Sequence, residues 1–172
     1  MLYVFITDNG FSLGSHRWVG KLCPYEECLR VPMVVRYPRL VGPARTDSRL
    51  VANIDLAATF AEFAGVTPPA RVDGVSLAGL LDGSAASWRT DVLGESWSYD
   101  PPPHRVVRTD RFAYIEYAIV PPLGGAEAEP YDLDADPYQL SNVAGDPAYG
   151  DVRAALAARV RALDPTWTQS PP

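Results

Sequence analysis

The most constraining feature of this sequence is a short apolar run, Leu2-Tyr3-Val4-Phe5-Ile6, that ends abruptly on Thr7-Asp8-Asn9-Gly10. A continuous apolar run of this length reads as a strand buried on both faces, as in a parallel sheet covered by helices. Such a strand needs neighbours. The next strand-like run lies at residues 31–37, with Pro32 at its edge and Met33-Val34-Val35 as its apolar centre.

Between them, residues 11–30 read as a long loop rich in polar groups, with glycines at 10, 14 and 20. Loops of that length in compact domains are functional or disordered, and Phe11, Trp18 and Tyr25 argue for order. Asp55 is placed to cap a helix over residues 55–64, with Leu56, Phe60 and Phe63 on one stripe and Gly65 as the stop. Thr67-Pro68-Pro69 reads as a turn, and Ser76 caps a short helix through Leu81.

From Trp88 the texture changes. Residues 91–96, 105–109 and 112–117 read as short strands, and Asp110-Arg111 makes the last two a hairpin. Residues 121–129 form a Gly/Ala/Pro loop, and residues 131–133 a further strand. Asp151 is placed to cap a last helix, with Val152, Leu156, Val160 and Leu163 at helical spacing. The pattern is α/β, divided into residues 1–87, part of an α/β layer, and residues 88–172, a small antiparallel sheet with a packed helix.

The chain of 172 residues carries a net charge of −6. That balance argues against nucleic acid, which needs a basic face, but leaves room for a small anion held by a local cation. No run approaches the roughly 20 apolar residues of a membrane span. Residues 1–6 are too short, and lack the basic start and cleavage site, for a signal peptide, so the compartment carries no sequence signal. Cys23 and Cys28 define no disulfide framework and no zinc spacing, and read as small buried apolar residues. His104 reads as a surface histidine.

The chemistry concentrates after the first strand. Ligands of open α/β sheets sit beyond the carboxyl ends of strands. Asp8 and Asn9 offer a carboxylate and an amide oxygen, hard donors suited to Ca²⁺ or Mg²⁺, although two donors cannot fill a six- to eight-fold shell. Lys21 offers a point charge for an anion. On chemistry alone the same residues fit an Asp-Asn-Gly turn among solvated charges.

A resemblance changes the weighting. Asp8-Asn9-Gly10, Leu13-Gly14-x-His16-Arg17, Gly20-Lys21 and Pro24-Tyr25-Glu26-Glu27-x-x-Arg30-Val31-Pro32 resemble the sulfatase pattern, within the alkaline-phosphatase superfamily. The order continues with Asn53-Ile54-Asp55-Leu56, Asp73-Gly74-Val75-Ser76-Leu77, Val107-Arg108-Thr109-Asp110-Arg111-Phe112 and Tyr131-Asp132-Leu133-x-x-Asp136-Pro137-x-x-Leu140-x-Asn142. The resemblance implies a partial alkaline-phosphatase-like α/β/α layer followed by the C-terminal sheet. It implies that Asp8 and Asn9 ligate an active-site Ca²⁺, with Mg²⁺ as the alternative. It also implies that Lys21 contacts the substrate's sulfate, and that His16 is either a loop anchor or a site residue.

The family's nucleophile is formylglycine, made from the first residue of C/S-x-P-x-R. Neither Cys23 nor Cys28 leads that motif, and Thr67-Pro68-Pro69-Ala70-Arg71 matches only its spacing. The expectation is a sulfuric ester hydrolase present as a C-terminal fragment with no catalytic residue in this chain, and inactive alone. The alternatives are a phosphonate or phosphate ester hydrolase of the same superfamily, or an inactive chain that binds an anion or a partner. The expected partners are a small sulfate ester in the intact protein and a complementary N-terminal chain, or self-association, along the open edge of the first strand. Without such cover, exposed apolar surface predicts weak stability.

Overall fold

A computed structural model of the chain describes residues 1–68, 70–97, 102–118 and 128–166. Pro69 of the expected turn, residues 99–101 of the loop before His104, and residues 121–127 of the Gly/Ala/Pro loop lie outside the described residues. The chain divides into two units. One comprises residues 1–8 and 31–90, the other residues 9–30 and 91–172. Residues 9–30 therefore group with the C-terminal residues, although in the chain they precede most of the first unit.

In the first unit, β1 (Tyr3–Ile6) pairs antiparallel with β4 (Met33–Arg36), with Tyr3 opposite Arg36 and Ile6 opposite Met33. The expected parallel strand buried on both faces is not what forms among the described residues. Tyr3 and Phe5 are 52% and 65% exposed, while Val4 and Ile6 are half-buried. An all-apolar run conceals the two-residue alternation that a ladder imposes, so the sequence alone does not show which side chains face out.

Helix α2 (Asp55–Ala64) has the expected bounds and ends at Gly65, which adopts φ 67°. Left-handed backbone of this kind costs a Cβ-bearing residue and suits glycine. Asp55 does not cap it. The cap position is Ile54, and the buried Asp55 carboxylate instead accepts from the Ala52 and Val75 amides, both at 2.8 Å, and from Arg89 at 2.5 Å. Thr59 accepts from the Leu77 amide at 2.9 Å, tying α2 to α3 (Ala78–Asp82). Ser76 Oγ accepts from Ala78 N at 3.2 Å at the start of α3.

In the second unit, β5 (Asp91–Ser96), β6 (His104–Thr109), β7 (Phe112–Tyr117) and β8 (Glu129–Asp132) form one antiparallel sheet in chain order. Neighbouring side chains along a strand point to opposite faces. Val106, Ile115 and Tyr131 accordingly pack with Cys23, Tyr25 and Cys28 on one face. Val107 and Tyr114 pack with Leu156 and Val160 of α4 (Gly150–Leu163) on the other. Fully burying each such aliphatic side chain contributes about 1.5–3 kcal/mol. The expected packed helix is there, and the opposite face is covered by residues 9–30. Asp151 does not cap α4; Tyr149 holds the cap position and Asp151 lies in the first turn, where its charge suits the helix dipole.

Three further expectations are corrected. Cys23 and Cys28 are buried, as expected, but they form a disulfide with a Cα separation of 5.7 Å. Residues 11–30 are more than a loop: β2 (Ser12–Leu13) pairs with β3 (Val19–Gly20), a 3-10 turn spans Ser15–Arg17, and α1 spans Glu26–Leu29. His104 is 3% exposed, because it opens β6 beneath Tyr117, with ring centroids 5.8 Å apart. Among the described residues, no helix is long and apolar enough to cross a membrane.

Candidate functional site

Of the four residues singled out from the sequence, Asp8 and Asn9 follow β1 within three positions, His16 lies in the 3-10 turn, and Lys21 follows β3. Asp8 ends the first segment of the first unit and is exposed; its Oδ1 accepts from Thr7 Oγ1 at 3.2 Å. Asn9 opens the second unit, and its amide nitrogen donates to the Gly10 carbonyl at 2.6 Å. With the nitrogen so engaged, the amide oxygen is the atom that a hard cation would use. A carboxylate and an amide oxygen fit Ca²⁺ or Mg²⁺ chemically, as two members of a larger shell. No cluster of three or more His, Cys, Asp or Glu suited to a metal exists among the described residues.

Within the second unit, Asn9, His16 and Lys21 belong to one segment organised around α1. The Gly10 amide donates to the Cys28 carbonyl at 2.8 Å. The buried Ser12 hydroxyl lies 3.1 and 3.0 Å from the Ser15 and Trp18 carbonyls, closing the β2–β3 turn. Lys21 follows β3 directly and is exposed, two residues before the disulfide at Cys23. A flexible ammonium on a braced stem suits a compact anion.

His16 is held from three sides. Its ring stacks on Tyr25 with centroids 3.7 Å apart, Nε2 donates to the Tyr138 carbonyl at 3.1 Å, and Glu27 Oε1 lies 3.8 Å away. It sits at φ 53°, followed by Arg17 at φ 61°. Non-glycine residues held in this region cost about 1–3 kcal/mol each and persist where surrounding contacts over-determine them. These contacts fix the His16 ring against α1 and the Tyr138 carbonyl.

Beneath α1 lies a polar layer that sequence reasoning missed. Glu26 takes a two-point ion pair from Arg108 of β6, Nε to Oε1 at 2.9 Å and Nη2 to Oε2 at 3.3 Å. The Glu26 amide donates to Gln139 Oε1 at 2.7 Å. Glu129 accepts from the Tyr25 and Tyr131 hydroxyls at 3.1 and 2.7 Å. Burial pushes the Tyr25, Tyr117 and Tyr131 hydroxyls up, and the Glu129 charge pushes the same way. They therefore remain protonated donors. The available signal was the Asp136-Pro137-x-x-Leu140 motif, but nothing in its spacing marks Gln139 for burial.

The family described as N-sulphoglucosamine sulphohydrolase, C-terminal, matches residues 14–165. The chain is similar to an N-acetylglucosamine-6-O-sulfatase of Bacteroides thetaiotaomicron, 35% identical over 156 residues that cover 86% of this chain and 27% of that protein. It is similar in structure to a protein solved in complex with its substrate D-glucosamine-2-N,6-O-disulfate, with a TM-score of 0.86 at 32% identity, covering 95% of this chain and 34% of that one. It is also similar to the phosphonate monoester hydrolase of Agrobacterium radiobacter, with a TM-score of 0.80 at 27% identity, covering 94% of this chain and 35% of that one. The chain thus spans between a quarter and somewhat over a third of the length of these relatives.

Proposed function

The chain belongs to the sulfatase family, as its C-terminal portion, and from that premise we propose that it forms part of a sulfuric ester hydrolase, supplying half of the metal and sulfate site. The observation that supports this most is the likeness, at a TM-score of 0.86, to a protein solved with a sulfated glucosamine as substrate. In this reading Asp8 and Asn9 hold a Ca²⁺ ion, with Mg²⁺ as the alternative. When bound, the cation neutralises charge on the sulfate oxygens. Lys21 holds a sulfate oxygen from the side of the β2–β3 turn, and His16 keeps that turn in place. The chain carries no C/S-x-P-x-R, so the formylglycine nucleophile comes from a region outside these residues.

Groups that act as one unit lose their effect together. The chain alone therefore turns over no aryl sulfate, and activity needs the nucleophile-bearing N-terminal portion, on the same or a complementary chain. The exposed Tyr3 and Phe5 of β1 are compatible with such cover. A second reading, a phosphonate or phosphate ester hydrolase, is favoured by the likeness to the phosphonate monoester hydrolase.

The test is turnover of 4-nitrophenyl sulfate and of a phenylphosphonate monoester by the intact protein, with Asp8→Ala and Lys21→Ala variants. The expected result is a preference for sulfate and a loss of about 10²–10³ in kcat/KM for Lys21→Ala, the scale of one removed electrostatic contact. A preference for phosphonate selects the second reading. Turnover by residues 1–172 alone overturns the claim that activity needs a nucleophile from outside these residues.

A further inference from the structure

Gln139 is an unusual residue. It is 1% exposed, it adopts φ 56° without being glycine, and its side chain reaches 113 positions back along the chain to the Glu26 amide. The first amides of a helix have no partner within the helix. Helix α1 begins after Tyr25, which makes no side-chain capping bond. Gln139 Oε1 supplies the missing acceptor at 2.7 Å. The preceding residue acts in the same direction, since the Tyr138 carbonyl accepts from His16 Nε2 at 3.1 Å. Two consecutive residues thus grip the segment 9–30 at two points.

The gripped helix is the hub of that segment. Cys28 of α1 accepts from the Gly10 amide, next to Asn9, and is bonded to Cys23, two residues after Lys21. Tyr25 carries the His16 ring, and Glu26 is fixed to β6 through Arg108. A displacement of α1 would therefore reach Asn9 through Gly10, and Lys21 through the disulfide.

We propose that Gln139 is a positioning residue of the anion site, capping α1 from the C-terminal loop and so setting the placement of Asn9 and Lys21. The proposal rests on the hydrolase reading for what the site does, and on geometry alone for the clamp. Gln139 Nε2 has no hydrogen-bond partner among the described residues. The acceptor oxygen therefore does the work, and Gln139→Glu keeps it. Gln139→Gly removes the cap while suiting the left-handed backbone, which limits any general loss of stability.

The experiment measures hydrogen exchange and steady-state kinetics on the intact protein and on Gln139→Gly and Gln139→Glu. A net hydrogen bond is worth about a factor of ten in an opening equilibrium. Gln139→Gly is expected to speed exchange at the Gly10 and Glu26 amides about tenfold and to raise KM for a sulfate ester severalfold, with a smaller change in kcat. Gln139→Glu keeps the acceptor and is expected to slow exchange at the Glu26 amide relative to Gln139→Gly. Unchanged exchange in Gln139→Gly, or faster exchange with an unchanged KM, would each overturn it. If the intact wild type turns over no sulfate ester, the hydrolase reading fails instead, and the exchange comparison still decides the clamp.

Discussion

Gly10 and Cys28 approach so closely that there is no room for a side chain between them. The Gly10 amide donates to the Cys28 carbonyl at 2.8 Å, and a Cβ on Gly10 would stand 1.9 Å from the Glu27 carbonyl oxygen and 3.2 Å from the Cys28 Cα. The obstructing atoms are backbone and cannot rotate away. Gly10→Ala must push α1 away from residue 10, at the 1–3 kcal/mol typical of overpacking, about 2 kcal/mol here. Urea denaturation measures the loss, and sulfate-ester turnover by the intact protein should fall with it. A variant as stable and active as wild type would show that the contact yields.

The disulfide closes a short loop, so its effect on the unfolded chain is modest. With Cys23 and Cys28 five positions apart, loop-closure entropy gives about 2 kcal/mol. Replacing both cysteines with serine is expected to lower stability by that amount. Reductant should destabilise the wild type and leave the double variant unchanged.

His104 introduces a pH dependence. Burial holds its imidazole pKa below the ordinary 6.5, against the weaker opposing pull of the Pro102 carbonyl and the Glu129 charge. As pH falls below about 6.5 the unfolded chain takes up a proton that the folded chain refuses. Stability therefore declines from pH 6.5 downward until the lowered folded pKa is reached, with a slope of at most about 1.4 kcal/mol per pH unit. Denaturation curves from pH 7.5 to 5 should show that slope, and His104→Gln should flatten it.

A second, more acidic transition belongs to Asp132. It accepts from Arg111 at 2.9 and 2.6 Å and from the Tyr149 hydroxyl at 3.1 Å, and the Arg111 guanidinium holds its carboxyl down to about 2 from 3.8. Its contribution is complete above pH 3.8 and disappears as pH falls toward 2. Breaking a buried pair costs about 3–5 kcal/mol, but the Arg111 side chain is 55% exposed, so Asp132→Asn is expected to cost about 1–2 kcal/mol. That variant should also lose the acid-unfolding step between pH 4 and 2.

Much of the C-terminal unit was legible in advance because its elements obey local rules. The β6–β7 hairpin follows from two short strand-like runs joined by the Asp110-Arg111 turn, and α4 from the spacing of Val152, Leu156, Val160 and Leu163. What remained hidden depends on distant partners. Asp55 looks like a cap in sequence, but its carboxylate serves Ala52, Val75 and Arg89. Cys23 and Cys28 give no local sign of pairing, and His104 is buried between β5 and β7, with Ser96 and Tyr117 opposite it. The candidate site divides the same way. Asp8, Asn9 and Lys21 stood out by their chemistry after the first strand and gained weight through resemblance, whereas Gln139 and Arg108 act across 113 and 82 positions of chain. No periodicity encodes such pairs.

The grouping of residues 9–30 with residues 91–172 also has a consequence for synthesis. On a ribosome, the segment emerges before the sheet that will cover it, and residues 31–90 must be translated in between. At roughly 5–20 residues per second that is a wait of several seconds. Arg108 and Gln139, which hold α1 from outside, do not yet exist during this interval. Cys23 and Cys28 do, and an early bond between them would keep the turn bent while the rest of its unit is made.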